Sequence, residues 1–176
     1  FWADERVDGD IWKKDSMLFR VTKSLEKKFI LSADHIVSLT QAAVVEIKKF
    51  QYTDAQSLEI SVISTCVDLE KFTPKSSIST ADNFILGYLG TVGTWYLFEE
   101  TVRAFSIFLS LKPNAKILII NKGEHEYIRS TLENFKIPQS AVEIISANHS
   151  EVPDLIKKMH ATIFFLKPLF SKREII

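Results

Sequence analysis

One stretch, residues 84–105, restricts the folds open to this chain more than any other. It is typical of an apolar strand, a loop with Gly87, Gly90 and Gly93, and then an amphipathic helix from about residue 97. Glycines at the end of a strand let the backbone turn into the next helix, where free N–H groups meet the positive helix end. Such a corner can receive an anion, usually a phosphate group, because no Cβ keeps the ligand from the backbone.

Elsewhere the sequence also alternates apolar strands with helical patterns. The strands are rich in Ile, Leu, Val and Phe, which is typical of a parallel sheet covered by helices on both faces. We therefore predict an α/β protein with Rossmann-like parallel sheets. Further strands are expected at 35–39, 60–66, 115–120, 142–145 and 161–166, and helices at 11–32, 41–50, 97–111, 124–135 and 151–159. Thr40 and Ser150 are predicted to N-cap the helices that follow them.

Charge and cysteine content argue against several classes of function. Lys+Arg and Asp+Glu both number 22 in the 176 residues, so no global charge favours nucleic-acid binding. Cys66 is the single cysteine, which rules out an intrachain disulfide and favours a reducing compartment. The four histidines do not fall at metal-ligand spacing, so no metal site is predicted.

A polar run at residues 73–83, TPKSSISTADN, is the best candidate for a linker. It separates residues 1–72 from residues 84–176, so two lobes are expected. The sequence begins with Phe1 and ends in SKREII. We expect it to be a fragment of a longer polypeptide.

The candidate ligand site lies in the loops after the predicted strands. In parallel sheets, ligands bind at the carboxyl ends of the strands. Here those ends are followed by loops at 87–95, 121–124, 146–151 and 167–172. The candidate phosphate-binding residues in these loops are a glycine turn and two cations: Gly90, Thr91, Gly93, Lys122 and Lys172. Each lysine has the alternative of simple solvation.

Other binding modes fit the same loops less well. The spacing Gly-x-x-Gly-x-x-Gly departs from the dinucleotide fingerprint, and Asn121 stands where an acidic ribose ligand is expected. An NAD-dependent oxidoreductase is therefore disfavoured. A P-loop is also disfavoured, because the sequence lacks the Gly-Lys-Ser/Thr motif that a P-loop requires. Trp95 and Tyr96 either stack on a base or sugar or pack against the neighbouring lobe. Among the four histidines, His149 is the one in a loop at the carboxyl ends of the strands, where a ligand is expected.

The order of these segments resembles the GT-B glycosyltransferases, specifically the retaining group called family four or group 1. The resemblance rests on ADHIVSLT before a helix, on an interlobe segment, and on FILGYLGTVG, and it covers nearly the whole chain. The matching interlobe positions are Ile60, Val62, Ile63, Val67, Asp68, Phe72 and Pro74.

This resemblance implies transfer of a sugar from a nucleotide-sugar to a glycan or lipid-linked acceptor, with retention at the anomeric carbon and without a metal or other cofactor. Residues 1–72 would end the acceptor lobe, and residues 84–176 would begin the donor lobe of an incomplete GT-B fold. Gly90 and Thr91 would face the phosphates, and residues 146–152 would lie near the nucleobase. We expect a cytoplasmic location, with peripheral membrane contact of the parent protein as an alternative left open.

Two departures from the family pattern limit what can be carried over. Thr91 stands where the family commonly has arginine. Residues 93–96, where the family commonly has a lysine, contain no basic residue. The family's Glu-x7-Glu motif would follow residue 176, so the catalytic residues are not identified and the isolated chain is expected to be inactive. The alternative is a non-catalytic nucleotide-binding α/β module.

Overall fold

The computed structural model describes residues 2–50, 52, 58–74 and 83–168. These residues form two compact units, one up to Val67 together with Pro168 and the other from Asp68 to Lys167. Most of the predicted linker at 73–83 lies outside the described residues, so that boundary stays a prediction. No described helix is both long and apolar enough to cross a membrane.

The first unit contains a two-stranded parallel sheet with a helix between its strands. Its strands pair with Ile36 opposite Ile60. Thr40 N-caps the intervening helix as predicted, because its Oγ1 accepts a hydrogen bond from the Ala43 N–H at 3.1 Å. In chain order the elements are α1 (Trp2–Asp8), α2 (Met17–Ser32), β1 (Ile36–Ser38), α3 (Gln41–Lys48) and β2 (Ile60–Val62).

The predicted helix over residues 11–32 begins too early. In the structure α2 starts at Met17, after Asp15 adopts a positive φ of 61°. The Ser16 hydroxyl accepts a hydrogen bond from the Phe19 N–H at 3.3 Å and caps the helix. The apolar spacing that includes Trp12 therefore spans a turn and not a continuous helix.

A four-stranded parallel sheet forms the second unit, with the order β5-β4-β3-β6. The chain builds outward from β3 to β5 and then returns to add β6 on the other side of β3. This reversal is the point at which doubly wound sheets bind ligands. The elements are β3 (Ile85–Leu89), α4 (Phe98–Leu111), β4 (Lys116–Ile120), α5 (His125–Asn134), β5 (Val142–Ile145), α6 (Val152–Ile156) and β6 (Ala161–Thr162).

Helices cover both faces of this sheet, as the apolar strands predicted. Ile117 and Ile119 of β4 belong to a core that includes buried residues of α4 and α5. Leu118 and Ile120 belong to a second core, against which residues of α6 pack. Successive side chains of a strand point to opposite faces, so a strand buried on both sides reads as a continuous apolar run.

Four local predictions are wrong. Gly87 lies inside β3 and not in the following loop, and a Cβ there would overlap the Met159 side chain. This glycine therefore leaves room for Met159. Ser150 does not N-cap α6, because Glu151 occupies that position. The strands predicted at 60–66 and 161–166 are shorter, ending at Val62 and Thr162.

Candidate functional site

A cavity of about 450 Å³ opens at the carboxyl ends of β3 and β4. It brings together three of the residues that the sequence singled out, namely Gly90, Thr91 and Lys122, and it also includes His149. Gly93 and Trp95 are not among its lining residues, and Lys172 lies outside the described residues. The complete lining is Leu89, Gly90, Thr91, Ile120, Asn121, Lys122, Gly123, Glu124, Ala147, His149 and Val152.

Gly90 sits at the first bend after β3, with a φ of 133° that residues with a side chain rarely adopt. A Cβ there would meet no atom within 4 Å, so the backbone angle and not a lack of space requires glycine. The Gly90 N–H donates to the Ile120 carbonyl at 3.1 Å. The Gly90 amide is therefore not one of the free N–H groups expected at this corner, because it continues the β3–β4 ladder.

The amides of Thr91 and Lys122 are two backbone donors in the cavity wall that stay available. Neither N–H donates a hydrogen bond to any residue that the structure describes. The Lys122 side chain is exposed and forms no ion pair within the described ranges. One cation and two backbone donors thus lie in the wall of a single cavity, which is a combination suited to an anion.

A carboxylate of the chain itself already occupies part of this corner. The Glu124 Oε2 accepts a hydrogen bond from the Val92 N–H at 3.1 Å and another from the Asn121 Nδ2 at 2.8 Å. Its Oε1 would stand 3.5 Å from a Cβ built on Gly93. This role of Glu124 was not expected from the sequence, where Glu124 only begins a predicted helix.

Asn121, which is 4% exposed, joins the corner to the start of α5. Its Nδ2 donates to the Gly90 carbonyl at 2.9 Å as well as to Glu124. Its Oδ1 accepts from the N–H groups of Gly123 at 3.0 Å and Glu124 at 2.8 Å. Both donors and both acceptor positions of the amide are in use, so Asn121 holds the site together and has none left for a ligand.

Tyr88 ties the end of β3 to the glycine turn. Its hydroxyl donates to the Thr91 carbonyl at 2.5 Å, and its ring is fully buried. Burial raises the pKa of Tyr88 to about 12, with smaller contributions from Tyr96 and the Glu124 carboxylate. The phenol therefore stays protonated at neutral pH and keeps the Thr91 carbonyl engaged.

His125 and Ser146 lie side by side at this edge, but they do not form a nucleophilic pair. The His125 Nε2 lies 2.7 Å from the Asn121 carbonyl and 3.3 Å from the Ser146 Oγ. A carbonyl oxygen only accepts hydrogen bonds, so Nε2 carries the proton and cannot take one from the serine. The Ser146 hydroxyl donates to the same carbonyl at 3.3 Å.

The aromatic pair after the glycine turn packs against the segment that follows β6. Tyr96 forms an isolated antiparallel bridge with Leu166, and its ring is edge-on to Phe164 with centroids 6.3 Å apart. The Trp95 carbonyl accepts a hydrogen bond from the Lys167 N–H at 2.8 Å. Tyr96 thus packs within its own unit, and both packing against the other lobe and stacking on a ligand stay predictions.

His149 reaches the cavity from the loop after β5. Its exposed ring lies edge-on to Phe72, with centroids 6.4 Å apart. Together with Ala147 and Val152 it gives this side of the cavity a mixed apolar and polar wall. Over the described ranges, no group of three or more His, Cys, Asp or Glu could hold a metal ion.

No protein-family model matches the sequence, and no curated protein matches it in sequence. Among solved structures, a point mutant of TarM from S. aureus in complex with fondaparinux, alpha-GlcNAc-glycerol and UDP has a TM-score of 0.64 and 11% identity, covering 86% of this chain and 29% of that chain. A second TarM structure has a TM-score of 0.64 and 13% identity, covering 87% and 29%. The GtfA/B complex has a TM-score of 0.51 and 15% identity, covering 70% and 24%.

These similarities establish the fold. The chain has part of the GT-B glycosyltransferase fold, so the resemblance inferred from the sequence is confirmed at that level. It spans 29% of the length of each TarM chain. At identities of 11% to 15%, fold likeness alone does not assign an activity.

Proposed function

We propose that this chain carries the donor-binding part of a glycosyltransferase, which moves a sugar from a nucleotide-sugar to a glycan or lipid-linked acceptor with retention at the anomeric carbon. One observation carries the proposal: the cavity at the carboxyl ends of β3 and β4 is lined by Gly90, Thr91 and Lys122 together. The fold shared with TarM, which has been solved with UDP, supports the same assignment.

The chemistry of sugar transfer explains why these groups would matter. The diphosphate leaving group gains negative charge as the bond to the sugar breaks. Donors already fixed in place stabilise that charge without reorganising. Thr91 and Lys122 would contact the diphosphate, and the wall formed by Ala147, His149 and Val152 would contact the nucleobase.

The setting of the reaction belongs to the proposal as well. We place the protein in the cytoplasm, and contact with a membrane surface would follow if its acceptor is linked to a lipid. The proposed reaction uses no metal or other cofactor, because the Lys122 cation and the backbone donors would stabilise the negative charge of the diphosphate.

Thermal unfolding in the presence of nucleotides tests this function. UDP or GDP should raise the melting temperature, since a ligand that binds only the folded state stabilises it. Lys122→Ala should weaken this stabilisation, with an apparent affinity about three- to tenfold lower.

Lys116→Ala is the matched control, because Lys116 is also exposed but begins β4 at the opposite end of the strand from the cavity. It should leave the nucleotide effect unchanged. A rise in melting temperature with NAD, and none with UDP or GDP, would instead favour an oxidoreductase-type domain.

A non-catalytic nucleotide-binding module is the second candidate. It is favoured by the position of Glu124, because a carboxylate on the Val92 N–H opposes the extra negative charge that a leaving diphosphate gains during sugar transfer. Such a module would bind UDP and yet give no sugar transfer from a nucleotide-sugar when assayed within the longer protein. Transfer that depends on Lys122 would exclude it.

A further inference from the structure

The Glu124 carboxylate occupies a backbone donor of the glycine turn. Its Oε2 accepts from the Val92 N–H at 3.1 Å, and Glu124 lines the same cavity as Gly90, Thr91 and Lys122. The Asn121 Nδ2, at 2.8 Å from the same oxygen, helps to keep the carboxylate in place. A negative group of the chain thus already fills one of the positions that a phosphate oxygen could take.

A carboxylate and a phosphate compete for such a position in two ways. Both are acceptors of backbone hydrogen bonds, so only one of them can take the Val92 N–H in full. Both are also negative, and like charges a few ångströms apart repel each other, more strongly where the dielectric constant is lower than in water.

We propose that Glu124 is an affinity-setting residue of this corner: it occupies the Val92 N–H and weakens the binding of a diphosphate in the cavity. The inference rests on the proposed function and adds a feature particular to this chain. A diphosphate binds fully only when the Glu124 side chain leaves the Val92 amide. Ligand groups without charge, such as a nucleoside, do not meet this competition.

Glu124 would have the opposite effect if it served only as a structural latch. By joining the turn at Val92 to Asn121 and the start of α5, it could fix the donors in a binding geometry. Removing its charge or its side chain would then weaken ligand binding. The sign of the change in affinity therefore separates competition from support.

Isothermal titration of the chain with UDP, GDP, inorganic pyrophosphate and uridine measures that sign. Glu124→Gln keeps an oxygen acceptor for the Val92 N–H and removes the charge, and Glu124→Ala frees the amide as well. The control is Glu126→Gln, because Glu126 is exposed on the same helix and does not line the cavity. Thermal unfolding of each variant verifies that it is folded.

We expect UDP and pyrophosphate to bind Glu124→Gln about five- to tenfold more tightly than the unaltered chain. Glu124→Ala should change in the same direction, and uridine binding and Glu126→Gln should show no change. Equal or weaker binding of UDP by both Glu124 variants would overturn the inference and leave the proposed function standing.

The two proposals can also fail in the reverse order. If pyrophosphate gains affinity in the Glu124 variants while UDP and GDP bind none of the proteins, the competition is real and the nucleotide-sugar assignment is wrong. If no anion binds any of the proteins, both proposals are contradicted.

Discussion

At Gly90 the backbone itself, and not the space beside it, determines which residue can be tolerated. Its φ of 133° lies in a region that is unfavourable for a residue with a Cβ, although a Cβ would meet no neighbour within 4 Å. The carbonyl of Gly90 accepts from Asn121, and its N–H donates to the Ile120 carbonyl. Both polar groups are fixed, so the chain cannot relax this angle without losing hydrogen bonds.

Gly90→Ala should therefore destabilise the fold by about 1–3 kcal/mol. Denaturant unfolding measures the loss. Gly123→Ala is the matched control, because a Cβ at Gly123 also meets open space and its φ lies outside the positive region. That substitution should change the free energy of unfolding by less than about 0.5 kcal/mol. Equal losses for both variants would contradict the assigned role of the Gly90 angle.

The sequence predicted which residues meet at the site better than it predicted what they do. Gly90, Thr91 and Lys122 follow strands β3 and β4, and strand order alone brings their loops to one edge. The role of Glu124 depends on a contact with Val92, 32 residues away in the chain, which no local pattern encodes. Only the contacts between Asn121 and Glu124 have a local signal, because the spacing Asn-x-x-Glu at 121–124 resembles a capping box.

Among the elements, β3 and the turn after it are joined by a buried phenol. The Tyr88 hydroxyl donates to the Thr91 carbonyl, and burial raises the pKa of Tyr88 to about 12 from an ordinary value of 10.0. A raised pKa means that the folded state favours the protonated phenol. The stability that the protonated Tyr88 phenol contributes is fully present below about pH 10 and is lost as the pH rises through 12.

Alkaline unfolding tests this element directly. The free energy of unfolding should fall by about 2–3 kcal/mol more between pH 10 and 12 in the unaltered chain than in Tyr88→Phe. Both proteins share every other titrating group, so the difference isolates Tyr88. Parallel pH curves for the two proteins would show that Tyr88 ionises in the fold as it does in the unfolded chain.

The sequence predicted well the elements with a clear burial pattern, such as β4, which is buried on both faces, and α5, which buries one face. For β4 and α5 the predicted bounds, 115–120 and 124–135, agree with Lys116–Ile120 and His125–Asn134 to within one residue at each end. Their apolar runs end where polar or turn residues begin. Near the amino terminus the helical spacing of apolar residues continues on both sides of Asp15. The positive φ of Asp15 breaks the helix there, so the apolar spacing alone predicted a start of α2 that is too early.

At the scale of the whole molecule, the two units differ in how much core they contain. Both of the hydrophobic clusters found among the described residues lie between Asp68 and Lys167. In the other unit the buried apolar residues are Ala3, Val44 and Ile47. The order of strands and helices predicted the parallel sheets, and the GT-B fold was expected from the resemblance of segments in both units to that family.

The central claim is that the cavity beside Gly90 binds the diphosphate of a nucleotide, and an amide-resolved NMR titration with UDP tests it most directly. We predict saturable shifts of the Thr91, Lys122 and Ala147 amide signals, with smaller shifts for uridine at the first two. The Val44 and Ile47 signals should not move. Shifts confined to residues away from the cavity, or no shifts at saturating UDP, would contradict the claim.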